Sequence, residues 1–152
     1  MWLMIIIFTI VFFIIDMVSK LVISNLMDVY DSIIIIKNFF NITYVRNTGA
    51  AWSIFSGEIL GIVIVSLIII LLIVYYIWKN KPKIWIEKLG YAMILGGACG
   101  NLFDRIIYGY VIDFLDFNIF GYDYPIFNIA DSFIFVGVII LIIYTWRCND
   151  GN

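Results

Sequence analysis

The sequence predicts an all-α membrane protein of four transmembrane helices, with a small extracytoplasmic β-cradle between the first two. Of its 152 residues, 64% are apolar, whereas a soluble domain is nearer half. Its mean hydropathy is +1.09. Apolar runs at residues 2–24, 59–78, 85–107 and 128–146 each match the roughly 20 residues that a bilayer core demands. Four spans use most of the chain, so residues 1–152 are expected to form a single integral membrane domain with no separate soluble module.

The first run has no basic leader and no small-residue cleavage site, and it carries Asp16 and Lys20, so it reads as a retained helix rather than a removed signal peptide. In the segment of about 26–58 that follows, stretches 32–40 and 41–45 are β-branched and aromatic. With Asn47-Thr48-Gly49 as a turn signal, they read as short strands. Lipid cannot satisfy an open sheet edge, which places this cradle on the membrane surface. The second run is nearly all aliphatic and reads as lipid-facing scaffold, with Pro82 in the turn after it. The third contains Gly90, Gly96, Gly97, Ala98 and Gly100, small residues that let helix backbones approach closely. A second link, 108–127, holds Asp113, Asp116, Asp123 and Pro125, and Asn128 and Asp131 open the fourth run.

Lys79, Lys81, Lys83 and Lys88 crowd the link between the second and third runs. The excess of basic residues on cytoplasmic loops puts that link, and with it both termini, in the cytoplasm. The net charge of −2 decides little, because few charges lie in solvent. There is no histidine, and Cys99 and Cys148 are expected near opposite membrane faces. Their spacing suits neither a disulfide nor zinc, and each reads as a small packing residue. No metal, cofactor or nucleic acid is expected.

Helix parity groups the polar residues. Asp16 and Lys20 lie late in the first run, Arg46 and Asn47 in the link after it, Asn101, Asp104 and Arg105 at the end of the third, and Asn128 and Asp131 at the start of the fourth. Ends of odd spans and starts of even spans share one side of a membrane, so these residues fall in or above one leaflet, which the lysines identify as the outer one. Asp16 and Lys20, four apart, are neighbours on a helix face and read as a structural ion pair. Asp104 reads as structural support beside Arg105. Asn101 and Arg105 can hydrogen-bond either a substrate backbone or the site's own loops. Asp113 and Asp131 differ, since neither has a basic residue within four positions. Asn128, one turn from Asp131, can orient that carboxylate without neutralising it, and a first-turn position suits a negative charge. Two nearby carboxylates share a proton, so one can activate water while the other donates to an oxyanion. That is the chemistry of aspartic peptide hydrolysis. A proton-coupled transporter would instead spread essential charges through the membrane depth, and the cytoplasmic half is nearly bare of them. A non-catalytic lipid-binding scaffold would tolerate asparagine at both positions.

The blocks Gly96-Gly97-Ala98-Cys99-Gly100-Asn101-Leu102-Phe103-Asp104-Arg105 and Gly109-Tyr110-Val111-Ile112-Asp113-Phe114 resemble the third motif of the lipoprotein signal peptidases (signal peptidase II). Phe127-Asn128-Ile129-Ala130-Asp131-Ser132 resembles the final motif, Asn47-Thr48-Gly49-Ala50-Ala51-Trp52 the Asn-x-Gly-Ala-Ala-Phe/Trp segment, and Asp16 with Lys20 the first-helix pair. The resemblance runs from Asp16 to Gly137; Cys99 and Phe103 fill variable slots, and Trp52 stands where phenylalanine is commoner. It implies a four-helix membrane bundle with a β-cradle and a short extracytoplasmic helical segment, in the bacterial cytoplasmic (inner) membrane. It also implies a monomeric, cofactor-free aspartic endopeptidase that cleaves prolipoproteins before a diacylglyceryl-modified cysteine at the lipid interface. By motif position, Asp113 and Asp131 correspond to the catalytic dyad, and Asn47, Gly49, Asn101, Arg105, Asn128 and Ala130 to residues that line or support the site. Asp16 and Lys20 correspond to residues needed for stability or activity without performing the chemistry. The 108–127 link and the cradle are natural lids over a bound substrate.

Overall fold

A computed structural model describes residues 2–49 and 58–149. In chain order they form α1 (Trp2–Leu26), β1 (Ser32–Ile36), β2 (Phe40–Asn47), α2 (Ile59–Asn80), α3 (Trp85–Tyr108), β3 (Val111–Ile119), β4 (Tyr122–Asp123) and α4 (Ile129–Asn149). Residues 50–52 of the Asn47 motif, the remainder of the predicted cradle to residue 57, and the Cys148 side chain lie outside the described residues.

Each expected apolar run is a helix. α1, α2 and α4 are long and apolar enough to cross a membrane, with mean hydropathies of 2.5, 3.1 and 2.2 over their most apolar stretches. α3 is less apolar because it carries Glu87, Lys88, Asp104 and Arg105, and it is the helix the others surround. It packs against α4, α1 and α2, and most of its buried positions lie between Gly90 and Asp104. A helix enclosed by protein need not be hydrophobic all round, whereas the lipid-facing faces of its neighbours must be.

Small residues set how closely those neighbours approach. A methyl group on Gly97 would collide with the Ala130 carbonyl oxygen of α4, and one on Gly100 with the Asp16 carboxylate of α1. Both contacts bring α1 and α4 against the same turns of α3, which places polar side chains from three helices within hydrogen-bond reach. α3 then stops at Gly109, whose φ of 75° and N–H to the Arg105 carbonyl form a left-handed cap that turns the chain into β3.

The four strands form one antiparallel sheet in the order β1-β2-β3-β4. Two expectations need correction. The boundary at residues 40/41 falls inside β2, because the turn is made earlier: Asn38 takes a φ of 60° and the Phe39 N–H bonds to the Ile36 carbonyl. The 108–127 link, expected to be a loop, supplies β3 and β4. Phe120 and Gly121, with φ of 52° and 85°, form the two-residue turn that joins them. The described residues contain no helical segment beyond the four long helices, and residues 50–57 of the extracytoplasmic region lie outside them. β3 pairs along β2, with Asp113 opposite Val45 and Val111 opposite Asn47. Beneath it Met27, Tyr44, Ile112 and Phe114 form a small core that seats the cradle on the bundle.

Candidate active site

The fourth helix begins with a reciprocal cap. The Asn128 Oδ1 accepts the Asp131 N–H at 3.0 Å, while the Asp131 Oδ2 accepts the Asn128 N–H at 3.2 Å. This is the geometry of a capping box, in which two otherwise orphaned donors satisfy each other's side chains. Asp131 is therefore a helix-start acid, as its position suggests, but the cap uses only one of its oxygens. The other, Oδ1, accepts the Asn101 amide at 2.7 Å.

Asp113 comes from β3 and is 2% exposed. Its Oδ1 accepts Asn128 Nδ2 at 2.7 Å and its Oδ2 accepts Asn47 Nδ2 at 2.9 Å. Asn128 thus touches both carboxylates, one through its amide and the other through its backbone. Burial, and secondarily the negative Asp131, push the Asp113 carboxyl up to about 7; the Asn47 and Asn128 amides and the Lys20 charge oppose this and are outweighed.

The remaining polar residues build the frame. Arg105 reaches back to hold the loop after β2, donating to the Gly49 carbonyl at 3.1 Å and to its own helix at the Asn101 carbonyl, 3.3 Å. Of the two uses open to Arg105, bonding the site's own loops is the one seen. Gly49 in turn donates its N–H to Asn47 Oδ1 at 2.9 Å, which aims that asparagine at Asp113. Asp16 and Lys20 are not merely a local pair. The Lys20 ammonium lies 2.8 Å from Asp16 and 2.9 Å from Asp104, and it donates to Asn101 Oδ1 at 2.9 Å. Asp16 accepts the Ala130 N–H at 2.9 Å and Asp104 accepts the Ile112 N–H at 3.2 Å. One buried cation thereby ties α1, α3, α4 and β3 together.

A cavity of about 1040 Å³ opens on this network. Asp113, Asp131, Asn47, Asn101 and Arg105 line it, while Asn128, Gly49, Ala130, Asp16, Lys20 and Asp104 stand behind its wall. Its remaining walls are mostly apolar. Phe39, Phe117, Tyr124 and Phe127 form an aromatic side from the cradle, with ring centroids 5.7 to 5.8 Å apart, and Ile134, Val136 and Val138 form an aliphatic side along α4. Sequence reasoning did not assign the aromatic side or Arg46, whose guanidinium lies 4.7 Å from the Tyr110 ring at the cavity edge. The density of Phe and Tyr between residues 114 and 127 was the available signal. Among the described residues no cluster of His, Cys, Asp or Glu is arranged to hold a metal. The site therefore offers two carboxylates, ringed by N–H donors, at the polar end of an apolar cleft, with one carboxyl poised near neutrality.

Known proteins resemble this chain in sequence and fold over most of its length. Residues 8–147 match the family model described as signal peptidase (SPase) II. The lipoprotein signal peptidases of Staphylococcus aureus strains JH9 and Newman are 45% identical over 128 residues, covering 84% of this chain and 78% of theirs. A bacterial membrane enzyme solved by the in meso method at 2.3 Å superposes with a TM-score of 0.89 at 40% identity, covering 97% of this chain and 90% of that one. Another bacterial membrane enzyme, solved at 1.9 Å, gives 0.83 at 42% identity, covering 93% and 91%. With sequence and fold in agreement over nearly its whole length, the chain belongs to the signal peptidase II family.

Proposed function

We propose that the protein is an aspartic endopeptidase, with Asp113 and Asp131 as its catalytic dyad, that removes signal peptides from prolipoproteins by cutting before a diacylglyceryl-modified cysteine. The observation that carries this reading is the placement of both carboxylates on one cavity wall, joined through Asn128. Family membership supplies the protease activity and the prolipoprotein substrate; the aspartic class and the residue roles rest on this geometry.

The reaction needs one proton shared by the pair. The ionised carboxylate takes a proton from water as the water oxygen bonds to the scissile carbonyl carbon, and the protonated carboxyl gives its proton to the carbonyl oxygen. When the resulting diol collapses, the C–N bond breaks, the departing amine takes the proton gained from water, and a diol hydroxyl returns the other. One water is consumed and the dyad recovers its single proton. Asn47, Asn101 and Asn128 orient the carboxylates, and Arg105 and Gly49 hold the loop that carries Asn47. Gly49 and Ala130 act through backbone groups. Asp16, Lys20 and Asp104 brace the helices.

The cavity suits a lipidated peptide. Its aliphatic side along α4 offers acyl chains an apolar surface continuous with the membrane, while its polar end meets the peptide bond. α3, about 36 Å long at 1.5 Å per residue, is long enough to be a fourth span, shielded from lipid by its neighbours. The lysine-rich α2–α3 turn argues for cytoplasmic termini and a cleft facing the extracytoplasmic side of a bacterial cytoplasmic membrane. The buried charged residues Asp16, Lys20, Asp104 and Asp113 cluster at one end of the bundle, which disfavours a proton path through the membrane.

The test presents a diacylated prolipoprotein to purified protein in detergent. Asp113→Asn and Asp131→Asn, each shown to be folded, are expected to lose more than about a thousandfold in kcat, since each removes a proton-transfer group. Wild-type turnover by either variant would end the dyad assignment. Equal cleavage of the unlipidated precursor would end the proposed substrate restriction.

A further inference from the structure

Three asparagines surround the two carboxylates, and a side-chain amide can in principle turn end for end, exchanging its donor for its acceptor. Here each amide is fixed by a group that can only donate. Asn47 Oδ1 takes the Gly49 N–H, so its Nδ2 faces Asp113. Asn128 Oδ1 takes the Asp131 N–H, so its Nδ2 faces Asp113 and Asn101 Oδ1. Asn101 Oδ1 takes the Lys20 ammonium, so its Nδ2 faces Asp131. The first two locks are backbone groups. The third is a side chain, 2% exposed, contributed by another helix. Turned over, Asn101 would set its NH2 against an ammonium and a second NH2, and its oxygen against a carboxylate.

We infer that Lys20 is a positioning residue for hydrolysis: by locking the Asn101 amide it keeps Asp131 as the ionised, water-activating carboxylate and leaves the shared proton on Asp113. This rests on the dyad reading above. Lys20 already has two carboxylates, Asp16 and Asp104, and a purely structural pair has no use for the further bond to Asn101. An N–H whose own amide oxygen is held by a cation is a stronger donor to the next acceptor in the chain. Asp131 receives that N–H, a backbone N–H, and the positive end of the α4 dipole. Asp113 sits on a strand, deeper, and both of its donors are neutral side-chain amides. Asp131 is also the half-buried member of the pair, and so the one that cavity water reaches first. The charged groups around the dyad are Lys20 and Asp16 from α1, Asp104 and Arg105 from α3, and Arg46 from β2 at the cavity edge. Of the two cations nearest Asp131, only Lys20 acts through an asparagine amide that donates to it.

Steady-state cleavage of a diacylated prolipoprotein between pH 5 and 9 tests this. Lys20→Gln is expected to lower kcat per folded molecule by roughly a hundredfold, the scale of a misaligned reacting group, with KM unchanged. Its alkaline limb should move upward, because the ammonium that holds Asp113's proton affinity down is gone. If Lys20→Gln does not fold, Lys20→Gln/Asp104→Asn removes one charge of each sign and retains an acceptor for the Ile112 N–H. The same split between kcat and KM is expected there. A residue needed only for folding would change the folded fraction and leave kcat per folded molecule and the pH profile at wild-type values; that result overturns the inference. Asp113→Asn and Asp131→Asn run alongside separate the two failures. If they remain active the dyad reading falls, and if they are inactive while the Lys20 variants match wild type, only the role of Lys20 falls.

Discussion

Asp113 joins local environment to a measurable pH dependence. Its carboxyl is held at about 7 against an ordinary value of 3.8, mainly by burial and then by Asp131. The folded protein therefore binds this proton more tightly than the unfolded chain does. The stability it contributes is complete below about pH 4 and is lost as pH rises through 7. Two outcomes are expected. Cleavage should fall by roughly tenfold per unit above pH 7 as the donor proton is lost, seen in kcat/KM on the lipidated substrate. Asp131→Asn removes the repulsion, so its thermal midpoint in detergent should decline less between pH 5 and 8 than that of the unsubstituted protein. Equal slopes would show that Asp131 does not act on Asp113. The sequence singled out both acids through their lack of basic neighbours. It did not disclose that Asn128 caps Asp131 and binds Asp113 at once, because that double contact needs a strand 15 residues earlier to return to the helix start.

At the level of elements, α3 positions the site because it can be approached so closely. Gly97 meets the Ala130 carbonyl, and that carbonyl belongs to the first turn of α4, next to Asp131. Gly97→Ala should therefore separate α3 from α4 and lengthen the Asn101–Asp131 contact, lowering stability by about 1–3 kcal/mol, the usual cost of overpacking, and reducing activity with it. Gly61→Ala, in α2 with no heavy atom within 4 Å of the added methyl, is the control and should be neutral or stabilising by up to about 1 kcal/mol. Thermal melts of both variants in one detergent check the pair; equal destabilisation would remove the packing argument. The helices were legible because length and apolar content survive without knowledge of partners, and the glycines of α3 announced close packing. β3 was not legible. Its pairing of Asp116 with Asn41 and of Ile112 with Arg46 joins segments about 70 residues apart, and a strand that carries two acids does not read as apolar on either face. The third strand is the one that brings Asp113 to the bundle, so the misread element was the one closest to the site.

For the whole molecule, the consequence of the fold is polarity along the bundle axis. The cradle, the cavity and the buried charges occupy one end, where α1 and α3 finish and α4 begins; the lysine-rich turn between α2 and α3 occupies the other. If the bundle spans the membrane, these ends lie on opposite sides, and a peptidase acting on exported precursors needs its cleft on the far side from the cytoplasm. The prediction uses two single-cysteine variants in a Cys99→Ala/Cys148→Ser background. Phe120→Cys lies at the tip of the β3–β4 turn, where the side chain is fully exposed, and Lys81→Cys lies in the exposed α2–α3 turn. A membrane-impermeant maleimide added to intact cells should label Phe120→Cys at once and Lys81→Cys only after permeabilisation. The reverse pattern would place the cleft in the cytoplasm, and labelling of both in intact cells would mean that the bundle does not separate its ends across a membrane. Because α3 runs directly from the lysine-rich turn to β3 of the cradle, the predicted pattern also requires it to span, and so tests the helix whose composition argues least clearly for a place in the membrane.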